Sequence, residues 1–302
     1  MIDTILPIDL GALFHAELLK GRRAPDFLAH PSSHLMGSLR HAQLDVANAP
    51  KQQSALLNEI TLMTGTLWHE WMHNALRRQG VGYMAEVNLT PWLPTGWSGT
   101  ADALIWRPDL KAFVLIDFKT TKGESLKFIR RDGAKKEHVA QASAYWHAAK
   151  KMGIPLAKAI GVLYWPKNDT RSKDELIEPV LVDFPPLPAK QLHAEMALRW
   201  GRISEYVSSL TFDPKEQNIR PLQDWVTDAL EPVQEREQRI FAEKDGTYTV
   251  KLMPHWSAAY CPFPEELCDC STQGQTKIGM YDWDGTYVPR TGYEDIDVLV
   301  TP

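Results

Sequence analysis

The sequence predicts an α/β fold: a mixed central sheet with helices packed against it. Three observations point there. A helical pattern at residues 54–78 is followed by three strand-like runs, a second helical pattern and a further strand. The strand-like runs are short and bounded by turn residues, whereas the helical stretches carry apolar residues three and four apart. The last run, residues 159–165, is apolar almost throughout, as a strand buried on both faces requires. Such alternation of element types places strands in one layer and helices around it.

Residues 1–50 show no dominant period, with a Pro-Ser break at Pro31-Ser32-Ser33. From residue 54, Leu56, Ile60, Met63, Leu67 and Trp71 recur at helical spacing, and Gly80 supplies a helix stop. Residues 83–89, 97–106 and 112–119 read as strands, the last two joined by a turn at Pro108-Asp109. Residues 120–134 read as a polar, basic loop. Residues 135–152 form a helix stopped by Gly153 and Pro155. Residues 187–210 and 221–244 read as helices. Beyond Gly246 the chain becomes rich in loops, Pro and Cys, and then acidic. No internal repeat or linker divides the 302 residues. The expected organisation is one domain, 1–302: a core over about 50–185, a helical region 186–245, a Cys-containing segment over about 250–275 and an acidic tail 276–302.

Composition excludes several classes. Hydrophobic residues at 44% and charged residues at 24% suit a packed core rather than disorder. No apolar run reaches the roughly 18 residues of a membrane helix, and residues 1–10 lack a secretory pattern, so the expectation is a cytoplasmic protein with no membrane partner. The net charge of −5 hides an asymmetry. Residues 119–137 carry seven bases (Lys119, Lys122, Lys127, Arg130, Arg131, Lys135, Lys136) against three acids. Residues 261–302 carry eight acids against two bases. A local basic patch binds phosphates whatever the total charge.

The chemistry concentrates in three phrases in fixed order: Gly99-Thr100-Ala101-Asp102, Asp117-Phe118-Lys119 and Gln141-Ala142-Ser143-Ala144-Tyr145, with His69 upstream on a helix. Asp117 and Lys119 are two apart on a strand and face the same way. With Asp102 near the end of the neighbouring strand, the carboxylates make a hard oxygen site of the kind magnesium and manganese prefer. His69 can complete such a site, and Lys119 can steady charge on a phosphate. Gln141 and Tyr145, four apart, share a helix face. An isolated Asp-x-Lys, or a Gln and Tyr on one helix face, is usually only structural; the joint occurrence is what reverses those odds.

Together these residues resemble the RecB-like branch of the PD-(D/E)xK nuclease superfamily, whose pattern is a helical His, G-x-x-D, (D/E)-x-K and Q-x-x-x-Y. The match covers roughly residues 33–166. The resemblance implies a restriction-endonuclease-like core and a magnesium- or manganese-dependent DNA exonuclease. In it His69, Asp102, Asp117 and the Phe118 carbonyl would be metal ligands, Lys119 would be catalytic, and Gln141 and Tyr145 would contact DNA. Glu86 on the first strand is a further acidic candidate, and Lys122, Arg130 and Arg131 would track the DNA backbone. The settings it suggests are phage or bacterial recombination and DNA-end processing, or CRISPR-type spacer processing. Candidate partners there are a recombinase, a single-strand-binding protein or a helicase. No Gly-Lys dipeptide occurs, so the chain has no phosphate-binding P-loop motor of its own.

Two other classes compete. His69-Glu70-Trp71-Met72-His73 spells the His-Glu-x-x-His zinc-protease motif, although Leu76 and Gln79 break its longer metzincin form. A catalytically dead DNA-binding relative is the other, and the intact Asp102, Asp117 and Lys119 argue against it.

All three cysteines, Cys261, Cys268 and Cys270, fall within ten residues, which in a reducing compartment points to a metal more than to a disulfide. RecB-like exonucleases often hold a 4Fe–4S cluster between one N-terminal Cys and three C-terminal ones around C-x-x-C-P-[YF]. Tyr260-Cys261-Pro262-Phe263 resembles that phrase, but Ala258 stands at the preceding cysteine and His41 at the N-terminal one. The resemblance therefore implies a second metal centre from His41, Cys261, Cys268 and Cys270. Iron–sulfur is its first reading and zinc its second, and the centre would pack the C-terminal segment against the N-terminal region.

Overall fold

The computed structural model describes residues 26–51, 56–167, 178–215, 220–225, 228–231, 236–245, 247–254, 261–265, 267–268, 276–282 and 286–291. These fall into two compact units. The first draws on Met1–Met36 and Gln53–Gly201, the second on Gly37–Gln52 and Arg202–Pro302.

In the first unit the short helix α1 (Pro31–His34) precedes the rest; α2 (Leu39–Val46) belongs to the second unit. The long helix α3 (Leu56–Arg78) leads into strands β1 (Tyr83–Asn88), β2 (Thr100–Arg107) and β3 (Ala112–Thr121). Then come α4 (Gly123–Asp132), α5 (Lys136–Lys151), β4 (Leu156–Pro166) and β5 (Val180–Phe184). The sheet order is β1-β2-β3-β4-β5; β3 and β4 are parallel and every other pair is antiparallel. The sequence-derived mixed sheet is therefore present. Helix α5 connects the two parallel strands, as a parallel crossover requires.

Period two sorts β3 between two layers. Ile116 and Phe118 face α3, where they form a core with Met72 and Ala103, flanked by Trp68, Leu76 and Ile105. Leu115, Asp117 and Lys119 point to the other face, where Gln141 of α5 reaches Asp117. Two expectations change. Of the recurring residues that mark α3 in the sequence, Met63, Leu67 and Trp71 are exposed, while Met72 and His73 are buried. Residues 120–134 are not a loop: Gly123–Asp132 is a helix that buries Leu126 and Ile129 and exposes its charges.

The second unit gathers α2 with the chain after residue 202. Leu44, Ala47, Tyr206, Trp225, Leu230, Phe263 and Leu267 form its core. Gln43, fully buried, holds α2 in place: its amide donates to the carbonyls of Arg202 and Ala229, and its carbonyl accepts the Glu231 N–H. Arg40 donates to the carbonyls of Leu267 and Glu231. The C-terminal segment thus packs against the N-terminal helix α2. Helix α6 (Ala189–Ser209) matches the helix expected at 187–210. The helix expected at 221–244 is not found. A 3-10 turn at Leu222–Trp225 and strand β6 (Arg236–Ala242) stand there instead. Strand β6 pairs with β7 (Tyr248–Pro254), β8 (Thr276–Tyr281) and β9 (Tyr287–Pro289) in a second sheet, so the expected acidic tail includes two strands. Pairing across the sheet overrides the helical composition of Arg236–Ala242.

Candidate active site

Strand register assembles the site. Ala103 pairs with Ile116 and Leu104 with Leu115, so one step further Asp102 stands level with Asp117. Ala85 pairs with Ala103 and Val87 with Ala101, so Glu86 stands level with Asp102 on the other side. Three carboxylates thus line up across β1, β2 and β3. Like charges at neighbouring sheet positions repel, and they persist where something cationic sits among them.

Each carboxylate has a distinct environment. Asp102 Oδ2 accepts the Phe118 N–H at 2.6 Å. Its Oδ1 lies 3.8 Å from His69 Nδ1. Asp117, 1% exposed, accepts from Gln141 Nε2 at 3.1 Å on one oxygen and pairs with Lys119 Nζ at 2.7 Å on the other. Glu86 has φ +47°, a left-handed backbone that a non-glycine residue adopts only when its surroundings impose it. That turn leaves its carboxylate 57% exposed, with Oε1 accepting from His73 Nε2 at 3.2 Å. Donor atoms of His69, Glu86 and Asp102 all lie within 4.8 Å of one another.

Burial dominates the electrostatics. It pushes both Asp102 and Asp117 up to about 6, against the pull of Lys119. Burial also works against the charge of Lys119, but Asp117 and Asp102 outweigh it and hold the ammonium on. His69 is pushed down by burial and by Lys119, which favours the neutral imidazole that binds metals.

His69, Asp102, Asp117 and Lys119 do converge. His69 Nε2 donates to the Phe118 carbonyl at 3.1 Å, so that carbonyl serves the histidine here. Glu86, a side candidate in the sequence, joins His69 and Asp102 in the donor group, whereas Asp117 is engaged by Lys119 and Gln141. Gln141 and Tyr145 are buried rather than presented to solvent. The Tyr145 ring lies against Gly99 so closely that a Cβ there would sit 2.5 Å from it. That contact links the glycine of the G-x-x-D phrase to the tyrosine of Q-x-x-x-Y. Lys122, Arg130 and Arg131 are exposed on or beside α4. Arg131 is paired with Asp132, Arg130 donates to the Glu178 carbonyl, and Lys127 and Arg131 flank the exposed Phe128 ring.

Sequence reading missed His138 and Tyr164. The Tyr164 hydroxyl lies 2.8 Å from His138 Nδ1 and accepts the Lys135 N–H, and Tyr164 pairs with Lys119 across β3 and β4. Burial, Lys119 and Lys135 push His138 down to about 3, so it is neutral. Its position three residues before Gln141 was the available signal.

The geometry separates the two histidines of His-Glu-x-x-His. His73 is buried, stacks on Tyr83 and bonds Glu86, while Glu70 is exposed. Among the described residues, the donor group holds His69 without His73 or Glu70.

In the second unit, one ring nitrogen of His41 and the sulfurs of Cys261 and Cys268 also lie within 4.8 Å of one another. Burial opposes a charged His41, but the two sulfurs outweigh it and push the imidazole up to about 9. Neither cysteine is in a disulfide. Cys270, the fourth expected donor, lies outside the described residues.

A family model described as the PD-(D/E)XK nuclease superfamily matches residues 2–269. The chain belongs to that superfamily. The chain is also similar to solved structures at low identity. An alkaline exonuclease from Laribacter hongkongensis is 11% identical, with 65% of this chain and 95% of that one covered and a TM-score of 0.43. The same exonuclease in complex with dAMP gives 13%, 60%, 92% and 0.39. The structure of SSO0001 gives 13%, 64%, 85% and 0.40. No curated protein matches. Among the described residues no helix is long and apolar enough to cross a membrane.

Proposed function

We propose that this chain is a divalent-metal-dependent deoxyribonuclease that hydrolyses phosphodiester bonds from DNA ends. The observation that carries this reading is the row Glu86, Asp102, Asp117 across three strands, with His69 and Lys119 beside it. The donor set of one imidazole and hard carboxylate oxygens fits magnesium or manganese. His69, Glu86 and Asp102 would hold the ion, with Asp117 next to them. When bound, such an ion lowers the pKa of a coordinated water and polarises a phosphoryl oxygen.

The chain's own groups do the rest. Asp117 anchors the Lys119 ammonium, and Gln141 anchors Asp117. A lysine fixed in this way can oppose the negative charge that builds on the phosphate during in-line attack. Neutral His138 and the Tyr164 hydroxyl border Lys119 and keep the ammonium as the local positive charge. The exposed bases Lys122, Lys127, Arg130 and Arg131 would meet the DNA backbone.

End-labelled single- and double-stranded DNA, incubated with magnesium, manganese or EDTA, tests the reading. Cleavage should need the divalent ion and return when it is restored, and casein should stay intact. Zinc-dependent proteolysis without DNA cleavage would replace this function with the protease one.

A further inference from the structure

We propose that His41, Cys261 and Cys268 supply three of the four donors of a mononuclear zinc site, not ligands of a cubane 4Fe–4S cluster. The three donor atoms lie within 4.8 Å of one another. Zinc bonds of about 2.3 Å to sulfur and about 2.0–2.1 Å to nitrogen, at tetrahedral angles, set donors roughly 3.5–3.8 Å apart. A cubane cluster attaches each protein ligand to a different iron, which sets the ligand atoms roughly 6 Å apart. Separations of at most 4.8 Å accommodate the first arrangement and fall short of the second. Charge agrees. One Zn²⁺ with two thiolates and a neutral imidazole is neutral, which suits a site beside the buried Phe263 and Leu267.

The scaffold is built to hold these donors. Arg40, next to His41, bonds the Leu267 carbonyl, next to Cys268. Gln43 fixes the same helix to residues 229–231. The N–H groups of Leu267 and Cys268 both donate to the Pro264 carbonyl, which makes a tight turn between the two cysteines. Donors 220 residues apart in sequence are thus held by hydrogen bonds between side chains and backbone as well as by packing. A metal here ties α2 to the segment after residue 260, and its binding energy becomes folding energy for this unit.

The test is metal analysis of the full chain, which does not depend on the nuclease reading. Purified protein should be colourless and carry about one zinc that survives dialysis, and cobalt(II) in its place should give the intense visible absorption of a tetrahedral thiolate site. His41→Ala should lose about tenfold or more of the bound metal at a limiting chelator concentration. His41→Cys, which keeps a donor in place, should retain it; this variant covers the case in which His41→Ala fails to fold. Asp117→Ala should leave the zinc content unchanged. About four irons per chain with absorbance near 400 nm would overturn the assignment in favour of a cluster. Failure to retain zinc after reconstitution, or retention undiminished in folded His41→Ala, would also overturn it.

Discussion

At the scale of single residues, Asp117 and Lys119 act as a pair, and the pair is what a mutation disturbs. Asp117→Ala removes the anchor of Lys119, and Lys119→Ala leaves Asp117 buried without its cation. Each should lower DNA cleavage about 100-fold or more while the protein stays folded. Gln141→Ala should cost less, about tenfold, because Gln141 holds the carboxylate and touches no reacting atom in this reading. The histidines should separate: His69→Ala should abolish cleavage and His73→Ala should only weaken it, since His73 acts through Glu86. Equal losses in both would favour the zinc-protease motif. Acidity gives a second check. Asp102 and Asp117 titrate near 6 in the fold and near about 3.9 unfolded. The metal-free fold therefore binds the extra protons, and its stability from these groups is greatest at low pH and is lost as pH rises through about 6. A cation at the carboxylates offsets that loss, so the rise in melting temperature caused by manganese should grow between pH 5 and 7. A manganese shift that is flat with pH would contradict the placement. Asp117 and Lys119 were legible in the sequence because period two puts them on one face. Glu86 stood out poorly because its role depends on cross-strand register and a left-handed backbone, which no local pattern carries.

At the scale of elements, the connection between β3 and α5 is the informative case. Its basic composition was plain in the sequence, but its helix was not, because the charges that suggest a loop are the exposed face of Gly123–Asp132. The buried Leu126 and Ile129 were the only internal sign. Formation of that helix places Lys127 and Arg131 around the exposed Phe128, with Arg130 on the Glu178 carbonyl. Surface pairs such as Arg131 with Asp132 contribute little and leave the guanidinium free to exchange to a phosphate. Reversing Arg130 and Arg131 to Glu should weaken DNA binding and reduce the slope of log affinity against log salt by about one to two. An unchanged slope in a fluorescence-anisotropy titration would show the helix to be only a solvated face. The contact between α5 and Gly99, the residue before β2, gives a stability prediction. Gly99→Ala drives a methyl into the Tyr145 ring and should cost about 1–3 kcal/mol in denaturant unfolding. The sequence showed Gly99 and Tyr145 as separate motif letters, and only packing reveals them as one contact.

At the scale of the whole molecule, the first unit supplies the carboxylate row and the second the thiol–imidazole group. The mixed sheet followed from the order of element types and α6 from its helical composition. The second sheet did not, because Arg236–Ala242 is written in residues that favour helices and becomes a strand only through its pairing with Tyr248–Pro254. The superfamily was legible because its letters sit where strand geometry needs them. The inward direction of Gln141 and Tyr145 was not, since periodicity says which residues share a face and not what that face meets. The central claim is that the row Glu86, Asp102, Asp117 with Lys119 is a metal-dependent nuclease centre. Single-turnover cleavage of end-labelled duplex DNA in manganese, comparing wild type with Lys119→Met, tests it most directly. The account predicts a loss of about 100-fold or more in the variant, with the manganese-induced rise in melting temperature kept. A variant that cleaves at the wild-type rate would contradict it.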